Sequence, residues 1–166
     1  GDGVPLTTLI ELQDGGRMVQ ALSAAPETQY LFANSGGYGF IATVGDLAGR
    51  IKAGKSFMTL EKGETLLSPA PVNGTHIYAA SNAGKLLIFD ASEMKVLAKG
   101  RGVIVMALEA GQTLATIGYC NGQQLALPCR ERNKISSLTL RGEDFAKYLL
   151  HRARKGCQLP GKKIPA

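Results

Sequence analysis

One feature constrains this chain more than any other: it repeats itself. Residues 30–66 read "YLFANSGGYGFIATVGDLAGRIKAGKSFMTLEKGETL" and residues 77–114 read "IYAASNAGKLLIFDASEMKVLAKGRGVIVMALEAGQTL". Ala33-Asn34-Ser35-Gly36-Gly37 falls on Ala80-Ser81-Asn82-Ala83-Gly84, and "LEKGETL" falls on "LEAGQTL". The offset is 47 early and 48 late, with a slip at the glycines between. A period of this length means one small structural unit used repeatedly, each unit burying its apolar surface against the next.

Each copy reads as the same series. A strand (30–33; 77–80) enters a small polar turn ending in Gly, where Asn and Ser bond their own backbone and Gly supplies positive φ. A second strand follows (38–44; 85–89), then a short acidic turn at Asp46 or Glu93, then a basic, Gly-containing loop, "RIKAGK" or "LAKGRG". A third strand reaches another turn, 62–64 or 110–112, and a fourth begins at Leu66 or Leu114. A divergent third copy follows. "LATIGYCNGQQLALP" carries an Asn121-Gly122 pair that predicts a tight hairpin, "ISSLTL" reads as a strand, "GEDF" as the acidic turn and "HRARKG" as the basic loop. Phe145, Tyr148 and Leu149 stand at helical spacing, which predicts a short helix within 143–155, ended by Gly156. "TTLIELQDGGRMVQALSA" reads as the end of an earlier unit, and "QLPGKKIPA" as the start of a further strand or a frayed end. Four short strands per unit predict an all-β, propeller-like array of about three complete blades and a partial one, as one domain over 1–166 excised from a longer chain.

Two stretches imitate a nucleotide site. "GRIKAGKS" (49–56) fits the phosphate-loop pattern, and "LLIFD" (86–90) resembles the strand and aspartate that often accompany it. A phosphate loop needs its first Gly directly after a buried strand and its Ser at the start of a helix. Here "GDLA" intervenes before Gly49, no helical stripe follows Ser56, and the second copy keeps neither Gly-Lys-Ser nor the aspartate, since Asp90 falls on Thr43. The pattern reads as a coincidence within a β repeat, and "SGGYGF" as a hairpin turn. No catalytic constellation is visible. His76 and His151 are given no role. Cys120, Cys129 and Cys157 form neither a disulfide framework nor a zinc pattern, which fits a reducing compartment. No apolar run is long enough for a membrane helix, and the first residues carry no secretory signal.

Net charge is +6, but residues 130–166 carry +7 and residues 1–129 carry −1. Such asymmetry points to a polyanionic partner. The basic loops recur at one repeat position: Arg50, Lys52 and Lys55; Lys99 and Arg101; Arg152, Arg154 and Lys155. In a circular array, equivalent loops come to equivalent places on one rim, where they would meet successive phosphates of a duplex with little regard to sequence. A protein-binding propeller is the competing expectation; it would use loops of the top face.

The stretch "SGGYGFIATVGDLAGRIKAGKSFMTL", followed by "AGKLLIF" and a Lys-Gly-rich loop, resembles the C-terminal domain of the A subunit of bacterial DNA topoisomerase IV, whose pattern runs "AGYGF…DL…AGKAL". The related gyrase A domain, which wraps DNA, carries a Gln-Arg-Arg-Gly-Gly-Lys-Gly box that is absent here; that box belongs to a first blade. The resemblance implies a β-pinwheel in which neighbouring blades exchange strands. It also implies a rim that binds and bends double-stranded DNA, guiding the segment passed during decatenation and supercoil relaxation. It further implies that the fragment alone is not an enzyme. The catalytic tyrosine and its Mg²⁺ lie elsewhere in a dimeric protein, ATP belongs to a partner B subunit, and the setting is the bacterial cytoplasm and nucleoid. No cofactor is expected in this domain itself.

Overall fold

A computed structural model of the chain describes residues 27–52, 59–67, 69–97, 100, 102–132, 134–160 and 164–165, with the backbone alone at 50–52. The elements are β1 (Gln29–Ala33), β2 (Tyr38–Thr43), α1 (Val44–Lys52), β3 (Ala70–Pro71), β4 (His76–Ser81), β5 (Lys85–Asp90), β6 (Val103–Ile104), β7 (Leu114–Cys120), β8 (Gln124–Glu131), β9 (Lys134–Arg141), α2 (Gly142–Ala146), β10 (Cys157–Gln158) and β11 (Ile164–Pro165). A 3₁₀ turn, Ala91–Glu93, follows β5.

The hairpins β1–β2 and β4–β5 form where the repeat predicts, and their turns share one chemistry. Asn34 Oδ1 accepts the N–H groups of Gly36 (2.9 Å) and Tyr38 (3.3 Å). Ser81 Oγ accepts those of Ala83 (3.3 Å) and Lys85 (3.3 Å). Gly37 and Gly84 complete the turns at φ 90° and 80°, a region where only Gly avoids a Cβ clash. Each turn is then pinned to a later one. Ser35 N–H donates to Thr65 O (2.8 Å) while Thr65 N–H donates to Ser35 Oγ (2.9 Å). Asn82 and Thr113 repeat the exchange at 2.9 and 3.0 Å.

Three sheets result, with strand orders β3-β1-β2-β6, β10-β5-β4-β7 and β11-β8-β9. The first two are not built from one sequence copy each. β6, from the second copy, closes the free edge of β2 (Tyr38↔Ile104, Gly39↔Val103). β10, from the third, closes the edge of β5 (Cys157↔Leu86, Gln158↔Lys85). Every first-copy or second-copy blade thus ends on a strand donated by its successor.

Alternation along the strands sends side chains to both faces, and both are buried. Leu31, Ala33 and Ile41 pack against Ile77, Ala79, Leu87 and Phe89 between the first two sheets. On the opposite face of the second sheet, Ala80, Leu86 and Ile88 meet Leu125, Leu127, Cys129, Leu140 and Phe145. Phe32, Phe40 and Ala42 gather with Leu47 of α1.

The structure corrects three expectations. First, the stretch after β2 is a helix, not an acidic turn and a loop. Thr43 Oγ1 accepts the Asp46 N–H (3.3 Å) at its start, an N-cap pairing, and Leu47 anchors it in the core. Second, Asn121-Gly122 makes no hairpin. β7 pairs with β4 and β8 with β9, so the pair is the joint between two sheets. Asn121 Oδ1 accepts the N–H groups of Gln123 and Gln124 there (2.9 and 3.0 Å). Third, the predicted helix within 143–155 shrinks to α2. Tyr148 and Leu149 leave it because the Ile88 N–H donates to Tyr148 O and the Leu150 N–H to Ile88 O (2.8 Å each), drawing the chain onto the edge of β5.

Candidate nucleic-acid interface

Both nucleotide-like motifs serve the fold instead. Gly49 lies inside α1, so no phosphate loop opens there. Asp90 caps the 3₁₀ turn: its Oδ1 accepts the Ser92 N–H at 2.9 Å, a bond that holds the carboxyl below its ordinary range. Thr43, its repeat counterpart, caps α1 in the same way.

The described residues at and around the basic loops of copies two and three make matching backbone contacts. In copy two, Val96 bridges in parallel to Ile41, with the Ile41 N–H on Lys95 O (2.9 Å) and the Leu97 N–H on Ile41 O (2.8 Å). Leu149 bridges to Ile88 in the same manner. The Thr59 N–H then donates to Gly100 O (2.9 Å), and the Ala107 N–H to Arg154 O (3.0 Å). Gly102 and Gly156 bring each loop back at φ 85° and 76°. A Cβ on Gly102 would strike the Gly39 carbonyl, and one on Gly156 the Leu86 carbonyl. These glycines let the donated strand cross close over the receiving one. The correspondence sets Gly100 on Arg154, and in sequence Arg101 on Lys155.

Of the eight residues expected on the rim, Arg152, Arg154 and Lys155 are fully described. Arg152 is half-buried; its Nη1 donates to Ile104 O at 2.8 Å, and its own N–H donates to Glu93 Oε1 at 3.0 Å. Arg154 is exposed and makes no ion pair among the described residues. Lys155 Nζ meets Glu109 Oε1 at 3.2 Å. Arg50 and Lys52 stand on the last turn of α1, not in a loop, and their side chains lie outside the described residues, as do Lys55, Lys99 and Arg101 entirely. The Thr59–Gly100 bond nonetheless ties the chain leaving the first basic stretch to the second basic loop.

One cation escaped the sequence reading. Lys85 Nζ lies 3.7 Å from the same Glu109 oxygen that Lys155 contacts, so one carboxylate sits between two ammonium groups from different copies. The hydrogen bond from Lys155, then the charge of Lys85, hold the Glu109 carboxyl below its ordinary value of 4.5. Only the position of Lys85 directly after the turn glycine hinted at it. Among the described residues, no three of His, Cys, Asp and Glu converge as metal ligands, and no helix is long and apolar enough to cross a membrane.

The residues match the model of the family described as DNA gyrase C-terminal domain, beta-propeller, over 29–73 and 75–121, which are the first two copies. The A subunit of DNA topoisomerase 4 from Neisseria gonorrhoeae is 46% identical over 121 residues, covering 69% of this chain and 16% of that protein. The Haemophilus influenzae protein of the same name is 32% identical over 165 residues, covering 95% and 22%. The chain therefore spans about a fifth of the length of these curated relatives. The solved C-terminal domain of Escherichia coli ParC superposes with a TM-score of 0.72 at 26% identity, over 84% of this chain and 59% of that one. A DNA gyrase A C-terminal domain gives 0.65 at 17%, over 87% and 50%, a likeness of fold.

Proposed function

This chain belongs to the family of DNA gyrase C-terminal β-propeller domains, and from that premise we propose that it binds and bends double-stranded DNA without reading its sequence. It serves as an accessory domain of a type II topoisomerase of the topoisomerase IV kind. Its part is to guide the duplex segment during decatenation and relaxation. The observation that carries this reading is the matching set of backbone anchors around the second and third basic loops. Two copies of divergent sequence keep the same backbone bonds and the same crossing glycine, and in sequence both carry cations beside that glycine. Contacts repeated at a fixed structural interval suit a polymer of phosphates. Each phosphate neutralised releases counterions, and several are needed because bending a short duplex by 40–90° costs roughly 1–6 kcal/mol.

The remaining steps belong to the rest of the protein on this reading. These are strand cleavage by a tyrosine with Mg²⁺, ATP hydrolysis by a B subunit, and dimerisation, all in the bacterial cytoplasm. Gel-shift titration of a linear duplex against salt tests the proposal. With about six phosphates engaged, log K falls against log salt with a slope of about −5. Binding that ignores salt, or none, would refute it and favour a protein-binding propeller.

A further inference from the structure

A carboxylate beside a surface that binds a polyanion repels its ligand, so one kept there calls for a local reason. Glu93 is such a group. It ends the 3₁₀ turn after β5, with its side chain 30% exposed. Both its oxygens are engaged by the next copy. Oε1 accepts the backbone N–H of Arg152, 59 residues away, at 3.0 Å, and Oε2 lies 3.5 Å from His151 Nδ1. The chain then continues through Ala153 at φ 69°, a left-handed conformation that costs a residue with a Cβ on the order of 1–2 kcal/mol. Such a conformation persists only where surrounding contacts over-determine it. Those contacts are the Glu93 bond before it, the Arg152 guanidinium on Ile104 O, and the Ala153 N–H on Val105 O at 3.0 Å.

We propose that Glu93 is a positioning residue for DNA binding: it fixes the start of the third basic loop so that Arg154 and Lys155 emerge at the spacing of successive phosphates. This rests on the reading of that loop as a DNA contact. Glu93 itself touches no DNA on this view. It acts through the Arg152 backbone, and its charge is a side effect of needing a strong acceptor there. The sequence places an acidic residue after the second strand in every copy: Asp46, Glu93, then Glu143 and Asp144.

Two substitutions separate position from charge. Glu93→Gln keeps an oxygen that accepts the Arg152 N–H and removes the negative charge; Glu93→Ala removes both. In the whole protein, duplex affinity, its salt slope, the bend of an end-labelled duplex by energy transfer, and the melting midpoint are measured for each. The expected result is that Glu93→Gln binds as tightly as the unchanged protein or tighter. Glu93→Ala should bind several-fold more weakly, with a salt slope shallower by about 1–2 and a smaller bend at saturation. If both variants tighten binding alike, Glu93 is only a charge and the inference is overturned. It is equally overturned if Glu93→Ala weakens binding in proportion to a lower melting midpoint with slope and bend unchanged. Arg154→Glu with Lys155→Glu forms the control. Weakened binding there with none in Glu93→Ala removes the positioning role and leaves the loop as a DNA contact. Unchanged binding there removes the loop contact, and the positioning role falls with it.

Discussion

Replacing Glu109 by Gln is predicted to strengthen DNA binding. In the free protein its carboxylate lies 3.2 Å from Lys155 Nζ and 3.7 Å from Lys85 Nζ, where it stands in for a phosphate. A duplex that approaches must compete with this internal anion and also meets its repulsion. Glu109→Gln frees two cations and leaves one neutral amide between them. If one further phosphate is then neutralised, the salt slope steepens by about 0.9. Exposed ion pairs are individually weak, so the gain at low salt is roughly two- to fivefold. It fades towards 1 M salt, where screening acts within about 3 Å. The Glu109 carboxyl is held below 4.5, first by the Lys155 hydrogen bond and then by the Lys85 charge. A depressed value means the bridge is fully formed above 4.5 and is lost only as pH falls through the lower, folded-state value. The difference between variant and parent is therefore constant from about pH 6 to 8. Fluorescence-anisotropy titrations of a labelled duplex across salt and pH give both quantities. Equal or weaker binding by Glu109→Gln, or an unchanged slope, would refute the idea that Lys85 and Lys155 face phosphate.

Two further predictions concern the scaffold. Gly156→Ala places a Cβ 2.5 Å from the Leu86 carbonyl at a φ of 76°, and is expected to cost about 1–3 kcal/mol of stability in urea unfolding, with the matching loss in Gly102→Ala. Tyr119 has a buried hydroxyl with no hydrogen-bond partner among the described residues, and burial pushes its pKa from 10.0 up to about 12. Because burial opposes the phenolate, ionisation leaves stability unchanged below pH 10 and favours the unfolded chain increasingly as pH rises from 10 through about 12. Tyr119→Phe should melt no lower than the parent at neutral pH, resist alkali better, and lack the last phenolate to appear in an absorbance titration.

What the sequence made legible was local. Asn34 and Ser81, Gly37 and Gly84, and the strands beside them are read within a few residues, because a turn is decided by its own backbone chemistry. Helix α1 carried a signal in Thr43-x-x-Asp46, but Gly45 and Gly49 and the lack of a helix in the second copy concealed it. The long-range pairings were not legible from the residues alone. β6 and β10 are two residues each, too short for any periodic pattern, and what selects their partners is the vacant edge of a distant hairpin. Asn121-Gly122 illustrates the limit from the other side. The chain does bend there, but Asn121 stays out of the left-handed region that the expected tight hairpin needs, and where the chain goes afterwards is settled by which sheet offers an edge. The site divides in the same way: the basic loops show in the sequence, whereas Lys85 and Glu93 join them only through folding.

The donated strands also set an order in time. During synthesis the edge of β2 lacks its partners until residues 95–97 and then Val103–Ile104 leave the ribosome, and that of β5 until residues 148–150 and then Cys157–Gln158 do. At roughly 5–20 residues per second, each nascent hairpin spends several seconds with an unpaired edge while a near-copy of itself is emerging next to it. Identical copies would offer each edge several equally good strands and invite misassembly. Divergence among the copies, strongest in the third, then acts as an address, telling each late strand which earlier edge is its own.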